Sequence, residues 1–185
     1  LRCLVGSEMC IRDRFLVENP YWEGAKISLY SAGEESIASM PNIKVGKFIT
    51  QVILQNIEVE DIDLSNATDL RSAWVQNNPA LQKLDLSYST IWGQGDKETE
   101  GNGTYGSSLM VLGCPILKEI KLPEKNELKA YRIDIECLDA LETFDMSNVK
   151  MVAELSIGDL NKDFNLVYPE LTIFYSEDGY AGTYF

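Results

Sequence analysis

The sequence predicts a β-rich repeat solenoid, because one apolar frame recurs along the chain at a regular interval. The frame L-x-x-L-x-L is clearest at residues 81–86, where it follows Asn78 and Pro79, and it returns at residues 117–122 and 141–146. Repetition of one frame is typical of a stack of similar units, each of which buries its apolar face against its neighbours. The sequence therefore predicts the fold in more detail than it predicts the ligand.

The spacing of the frame predicts the size of one coil. Most successive frames begin 11 residues apart, so two frames form a coil of about 22 residues. Each coil then has two strand segments, in which apolar side chains point inward and the intervening residues point outward. The frames begin at residues 59, 70, 81, 106, 117, 128, 141 and 152.

The frame also divides the chain into segments. Residues 15–47 lack a clear repeat and are interpreted as an N-terminal flank or cap. Residues 48–175 form the solenoid, and its first firm strand is predicted at residues 48–54, which are apolar and rich in β-branched side chains. The single step of 25 residues contains a polar, glycine-rich insertion loop at residues 92–105. Residues 176–185 form a C-terminal tail.

The first fourteen residues are expected to be foreign to the protein. Residues 9–14 resemble the translation of the transposon end sequence that is used in tagmentation sequencing libraries. Such a scar is excluded from fold reasoning. The alternative is a genuine N-terminal helix or strand. With a scar at residues 1–14, the chain is expected to be a metagenomic fragment, truncated at least at its N-terminus.

Composition argues against several classes of function. The net charge is −13, which disfavours nucleic acid and anionic membranes as partners because both bind basic surfaces. The sequence contains no histidine, so Ser-His-Asp and Cys-His catalysis are not available to it. No apolar run approaches the roughly 18 residues that span a bilayer, and we expect no membrane insertion within this chain.

The frame predicts which side chains form the core. Residues at its fourth and sixth positions are expected to be buried, because they point into the space between the two strand segments of a coil. The predicted core residues are Leu84, Leu86, Ile120, Leu122, Phe144, Met146, Leu155 and Ile157.

Residues 62–87 resemble the short leucine-rich repeats of secreted and surface-anchored bacterial proteins. Those repeats alternate L-D-x-S-N-N segments with N-P-x-L-x-x-L segments, and the resemblance covers roughly residues 59–157. The chain departs from the pattern in its insertion and at Gly106, which breaks the first position of one frame. The resemblance implies a leucine-rich-repeat-like solenoid, an extracellular or cell-surface location in bacteria, and recognition of a protein or glycan without a shared chemistry.

Two cysteines occupy nearly the same place in successive coils. Cys114 and Cys137 lie three and four residues before the frames that begin at Leu117 and Leu141. They are interpreted either as thiols that fill a column of turns or as a disulfide, which an exported protein permits. Neither is expected to be catalytic, because the chain has no histidine to act as a base.

One acidic segment has the ligand spacing of a calcium-binding loop. Asp159, Asn161 and Asp163, with Glu170 at the twelfth position, match the EF-hand pattern. However, Phe164 stands where that loop needs glycine for its sharp turn. The segment is interpreted mainly as a solvated loop between coils, and calcium is a minor alternative; no other metal and no cofactor is expected.

Outward positions of successive strands are expected to form columns. One column is interpreted as a solvated sheet face, although paired carboxylates are also the groups that a glycosidase-type enzyme uses. The other combines tryptophan with arginine, both of which are enriched at binding hot spots. The first column is Asp63, Asp85, Lys121 and Asp145, and the second is Trp74, Met110, Arg132 and Ser156.

The sequence favours a non-enzymatic recognition module over a glycosidase-type enzyme or a structural spacer. The predicted ligand-binding residues are Trp74, Met110 and Arg132, with Trp92 and Tyr105 from the insertion. Loops on rigid scaffolds commonly carry function, and we expect this loop to leave the stack beside the tryptophan column. Two alternatives stay open: Trp74 packs onto the neighbouring coil or under the insertion, and the loop merely tolerates extra length.

Overall fold

The chain folds as a stack of β-coils. The structure is a computed structural model, and it describes residues 14–17, 25–31, 37–40, 42–93, 107–125, 127–169 and 173–174. Within these ranges the chain is a β-solenoid of about 6 turns, with about 22 residues per coil. The prediction of a β-rich repeat solenoid is therefore confirmed. Residues 1–13 and 176–185, interpreted as part of a scar and as a tail, lie outside the described residues.

The strands are short apart from two long ones near the C-terminal end. In chain order they are β1 (Arg14–Val17), β2 (Ala25–Tyr30), β3 (Ala38–Ser39), β4 (Asn42–Val45), β5 (Ile49–Gln55), β6 (Ile57–Glu58), β7 (Ile62–Asp63), β8 (Ser72–Gln76), β9 (Lys83–Asp85), β10 (Ser108–Leu112), β11 (Glu119–Lys121), β12 (Leu128–Leu138), β13 (Thr143–Asp145), β14 (Val149–Leu160), β15 (Asn165–Val167) and β16 (Ile173–Phe174).

One large sheet forms one side of the stack. Its seven strands have the order β16-β14-β12-β10-β8-β5-β2, and each pairs in parallel with the strand of the next coil. The other side, which we call the small-sheet side, consists of β1-β4-β7, β9-β11 and β13-β15, also parallel. Parallel sheets are normally covered on both faces, but in a solenoid only the inner face of each sheet meets the shared core.

Side-chain alternation separates the core from the surface. In β8, Ala73 and Val75 are buried while Trp74 is half-buried on the opposite face, as expected from the two-residue period of a strand. Six of the predicted core residues are buried, and this part of the prediction is confirmed: Leu84, Leu86, Ile120, Leu122, Phe144 and Met146.

The prediction is wrong for the last two core residues. Leu155 and Ile157 are only half-buried, although both lie on the inner-facing side of β14. The neighbouring strand β16 pairs only with Met151 and Val152, so no strand is described beside Leu155 and Ile157. A core residue needs a coil on each side, and the frame alone carries no information about where the described stack ends.

A buried asparagine explains why Asn-Pro precedes the frame at residues 81–86. The side-chain oxygen of Asn78 accepts hydrogen bonds from the backbone N–H groups of Val59, Ala80 and Leu81, at 3.1–3.3 Å. Two of these bonds close the turn that contains Pro79, and the third reaches the preceding coil. Buried backbone donors need such partners, so this side chain joins local turn geometry to the stacking of coils.

Aspartates of the predicted acidic column close turns after the short strands. Each carboxylate accepts a hydrogen bond from the backbone N–H two residues later, at 2.9–3.0 Å. This is the Asx-turn geometry that favours aspartate at such positions. The pairs are Asp63 with Ser65, Asp85 with Ser87, and Asp145 with Ser147. These carboxylates therefore have a structural role in addition to solvation of the face.

None of the segments that the structure describes is a helix long and apolar enough to cross a membrane.

Candidate functional site

The outer face of the large sheet carries the predicted binding residues. Strand register arranges its outward side chains in three columns that run along the stack. The start column is Lys26, Gln51, Ser72, Ser108, Arg132 and Glu154; the middle column is Ser28, Ile53, Trp74, Met110, Asp134 and Ser156; the end column is Tyr30, Gln55, Gln76, Leu112, Glu136 and Gly158.

Register brings Trp74 and Met110 together as predicted but moves Arg132. Met110 pairs with Trp74 on one side and with Asp134 on the other, whereas Arg132 pairs with Ser108. The sequence frame places this coil two residues too early. A shift of two keeps the same face of a strand, so Arg132 still lies on the outer face, in the start column rather than beside Met110.

Arg132 is the centre of an ionic network at one end of this face. Its Nη2 donates to Oδ2 of Asp134 at 2.7 Å, and its Nη1 lies 3.6 Å from Oε2 of Glu154. Tyr131 donates its hydroxyl to the other oxygen of Glu154 at 2.9 Å. The network holds the guanidinium against the sheet, so Arg132 is less available to an anionic ligand than its exposure suggests.

Asp134 is the unusual member of this network. Its side chain lies on the outward side of the sheet, yet the residue is only 4% exposed. One carboxylate oxygen is bound by Arg132, and the second, Oδ1, is buried without a hydrogen-bond partner. A buried acceptor without a partner costs about 1–3 kcal/mol. No sequence pattern predicts this residue as part of the site, because the frame of this coil is shifted by two residues.

Trp74 also has an unpaired buried polar atom, which is a donor rather than an acceptor. Its ring is half-buried, and its Nε1–H donor is buried without a hydrogen-bond partner. Ile53, its neighbour in the middle column, is only 6% exposed, so the outer face is covered around the ring. An unpaired donor at Trp74 and an unpaired acceptor at Asp134 therefore lie one strand to either side of Met110, which is flexible and polarizable.

Amide side chains form ladders at the other end of the face. Gln55 donates from Nε2 to Oε1 of Gln76 at 3.2 Å. At the adjoining corner, Asn77 donates from Nδ2 to Oδ1 of Asn56 at 2.8 Å. Each ladder joins successive coils, so the polar surface of β5 and β8 contains amides instead of the ion pairs found on β12 and β14.

Trp92 does not belong to the binding surface, and its prediction as a ligand-binding residue does not fit the structure. The residue is completely buried in the core, where its Nε1 donates to the carbonyl of Ser108 at 3.5 Å. Thr90 donates to the carbonyl of Thr68, 22 residues earlier, so Trp92 takes the core position that Leu70 occupies one coil before. The 11-residue frame thus continues to Trp92, and only the residues after it depart from the repeat.

The ends of the insertion meet beside the start column. The backbone N–H of Gly93 donates to Oγ of Ser107 at 2.6 Å, and its carbonyl accepts from the backbone N–H of Lys129. Ser107 directly precedes β10, so the insertion joins the stack at the N-terminal end of this central strand of the large sheet. Tyr105, the remaining predicted binding residue, lies outside the described residues.

The small-sheet side has polar groups that pair with one another. Lys83 lies 3.1 Å from Asp85 and 3.4 Å from Glu119, which in turn lies 3.2 Å from Lys121. The hydrogen bond from Lys121 lowers the pKa of Glu119. Burial acts to raise the pKa of Asp85, but hydrogen bonds from Ser87 and the contact with Lys83 together outweigh it and leave that pKa lowered.

The two cysteines do not occupy equivalent positions, contrary to the sequence interpretation. Both are free thiols; Cys114 is buried and Cys137 is exposed. Leu112 pairs with Glu136, so Cys137 matches Gly113, one residue before the cysteine, and a shift of one residue reverses the face. Burial raises the pKa of the Cys114 thiol to about 11. This thiol is therefore protonated and unreactive at neutral pH.

The positions of the predicted ligands give little support to a calcium site. Asp159 lies within strand β14 rather than in a loop. The side chain of Asn161 donates to the carbonyl of Asp139 at 3.1 Å and accepts from the backbone N–H of Asp163 at 3.0 Å. Glu170 lies outside the described residues. Across the described ranges, no group of three or more histidine, cysteine, aspartate or glutamate residues could hold a metal ion.

The fold is a parallel β-solenoid whose large sheet carries the predicted binding residues on its outer face. No protein-family model matches the chain, and neither a curated protein nor a solved structure matches it.

Proposed function

We propose that this chain is a non-enzymatic recognition module that binds a protein or glycan through the outer face of its large sheet. In this proposal the solenoid is leucine-rich-repeat-like and belongs to a secreted or cell-surface bacterial protein. One observation carries the proposal: Trp74 and Asp134 leave a buried donor and a buried acceptor unpaired on either side of Met110.

The energetic cost of that arrangement supports a binding role. Folded proteins pair nearly all buried polar groups, and each exception costs about 1–3 kcal/mol. A ligand that displaces the Met110 side chain and supplies one acceptor and one donor recovers this cost. Met110 is suited to such displacement because its unbranched side chain has several accessible rotamers.

The glycosidase-type alternative has less support. A general acid of that class needs a carboxyl group with a raised pKa. On the small-sheet side, hydrogen bonds and lysine neighbours instead lower the pKa of Asp85 and Glu119. A structural spacer is the other alternative, but it gives no reason why two of the three unpaired buried side-chain atoms of the described residues lie on one face, the third being Nδ2 of Asn78 in the turn before β9.

A binding screen with matched variants tests the proposal. The wild-type chain and Trp74→Ala are immobilised and screened against host-cell proteins and glycans. Lys83→Ala is the control, because Lys83 is exposed on the small-sheet side. We expect a ligand whose affinity falls about tenfold or more in Trp74→Ala, as for a hot-spot aromatic, and is unchanged in Lys83→Ala.

The screen also identifies a wrong surface. Circular dichroism establishes that each variant retains the β-rich fold. A ligand that binds folded Trp74→Ala as tightly as wild type, and loses affinity in Lys83→Ala, would place the site on the small-sheet side and contradict the proposal.

A further inference from the structure

Charge divides the outer face of the large sheet into two halves. On β5 and β8 none of the six outward side chains in the three columns is ionisable: Gln51, Ile53, Gln55, Ser72, Trp74 and Gln76. On β12 and β14 the same columns contain Arg132, Asp134, Glu136 and Glu154. In a chain of net charge −13, an uncharged area of this kind favours a neutral partner, because charged groups are costly to desolvate.

The glutamine pair offers both a donor and an acceptor to a ligand. The single bond from Gln55 to Gln76 uses one N–H of Gln55 and accepts at Oε1 of Gln76. The amide nitrogen of Gln76 and the carbonyl oxygen of Gln55 make no further hydrogen bond within the described chain. These groups lie on adjacent strands, whose backbones are about 4.8 Å apart. Neighbouring hydroxyl groups of a sugar, each of which both donates and accepts, match such a pair.

Aromatic rings flank the glutamine pair. Tyr30 pairs in register with Gln55 and is 66% exposed, while Trp74 lies two residues before Gln76 on the same face of β8. Rings with a polar edge and an apolar face suit the C–H face of a pyranose ring, and ligand sites typically combine apolar walls with a few placed polar groups. We call Tyr30, Gln55, Gln76 and Trp74 the amide strip.

From this arrangement we infer that the ligand is an uncharged glycan chain, which lies across the amide strip. The inference rests on the proposed recognition function and narrows its ligand class. An extended peptide normally adds to the edge of a sheet, where backbone groups are free. The amide strip instead lies on a sheet face, where only side chains are offered.

Affinity electrophoresis of the full chain tests the inference. The probes are soluble neutral polysaccharides (a β-glucan, an α-glucan, a xylan and a mannan), with polygalacturonate as the anionic comparison. We expect at least one neutral polysaccharide to retard the wild-type chain. Tyr30→Ala and Trp74→Ala should weaken retardation about tenfold or more, and Gln76→Ala about two- to tenfold, as for one hydrogen bond.

Two matched variants control for loss of a side chain elsewhere. Tyr88→Ala removes a tyrosine that is 49% exposed in the turn after β9, and Gln82→Ala removes an exposed glutamine that precedes the same strand. Both should leave retardation unchanged. Equal weakening by a strip variant and its matched control would overturn the assignment to the amide strip.

The remaining outcomes separate this inference from the proposed function. Retardation by no neutral polysaccharide, or by polygalacturonate alone, overturns the glycan inference. A protein ligand that depends on Trp74 in the binding screen, combined with no polysaccharide binding, overturns the inference while the recognition function stands. Retardation that every strip variant retains in full also overturns it.

Discussion

The two sides of the solenoid use their polar side chains in opposite ways. On the small-sheet side, Asp85 accepts from the backbone of Ser87 and pairs with Lys83, so its oxygens are occupied within the protein. On the outer face of the large sheet, Trp74 and Asp134 each keep a buried polar atom without a partner. Both sides are parallel sheets that share one core, so the difference lies in the outward residues.

This difference indicates on which side a ligand gains the most binding free energy. A side whose polar groups are already paired offers a ligand only exposed ion pairs, which contribute about 0–1 kcal/mol each. A face with unpaired buried groups offers a larger gain, because pairing them removes an existing cost. The predictions below test whether the two sides differ as described, and whether the core beneath them is as continuous as the frame implies.

The largest effect is expected from Trp92, and Trp74 is the comparison. Trp92→Ala should lower the free energy of unfolding by about 3–5 kcal/mol, because it empties a fully buried site. Trp74→Ala should lower it by only about 1 kcal/mol, as is common for partly exposed residues. Urea denaturation measures both values. Equal losses would mean that Trp74 belongs to the core, and the contrast between the two sides would fail.

Two residues beneath the small-sheet side test the continuity of the core. Leu84 and Ile120 pair in register on adjacent coils and are both buried. Leu84→Ala and Ile120→Ala should therefore cost similar amounts, about 2–5 kcal/mol each. Denaturant midpoints at constant m-value provide the measurement. A loss below 1 kcal/mol at either position would contradict the shared core, as would circular dichroism dominated by helix.

The sequence was sufficient for the solenoid because inward side chains repeat at a fixed interval. Leucine at position 84 and isoleucine at position 120 match across an insertion, and the frame identifies both. The sequence was insufficient for the site because the outward side chains do not repeat at a fixed interval. The frame placed Arg132 two residues out of register, so Asp134 was missed, and it treated Trp92 as loop although the 11-residue interval reaches that residue.

The cysteine interpretation differs from the structure by a single residue. Successive coils turn a corner with a residue at positive φ, and Gly113 and Cys137 occupy that position with φ of 63° and 55°. Counting back from the next frame also places Cys137 opposite Gly113, because each lies four residues before its frame. The interpretation treated Cys114, one residue later, as nearly equivalent to Cys137, but a shift of one residue reverses the face.

Substitutions at this corner should change the free energy of unfolding less than the core substitutions above. Gly113→Ala should cost about 1–2 kcal/mol, because alanine disfavours the left-handed region and its Cβ would lie 2.6 Å from Oδ1 of Asn77. Cys137→Gly should stabilise by up to about 1 kcal/mol, since glycine adopts this conformation without strain. Thermal unfolding of both variants gives the sign. Stabilisation by Gly113→Ala would contradict the corner geometry.

The smallest effect is expected from the charge of Asp85 on the small-sheet side. Its pKa in the folded protein lies below the ordinary aspartate value of 3.8, so the ionised form stabilises the fold above that value. This contribution is lost as pH falls through the folded pKa. Asp85→Asn keeps an oxygen for the Ser87 turn and removes the charge, so it should cost no more than about 1 kcal/mol at pH 7 and less at pH 3.

Asp145→Asn is the matched control for this last measurement. Asp145 accepts the same turn hydrogen bond, from Ser147, but forms no ion pair with a described residue. The difference between Asp85→Asn and wild type should therefore shrink between pH 7 and pH 3 more than the difference for Asp145→Asn. If the two differences follow the same pH dependence, the lysine contact contributes nothing. The pairing that distinguishes this side from the outer face of the large sheet would then be limited to the turns.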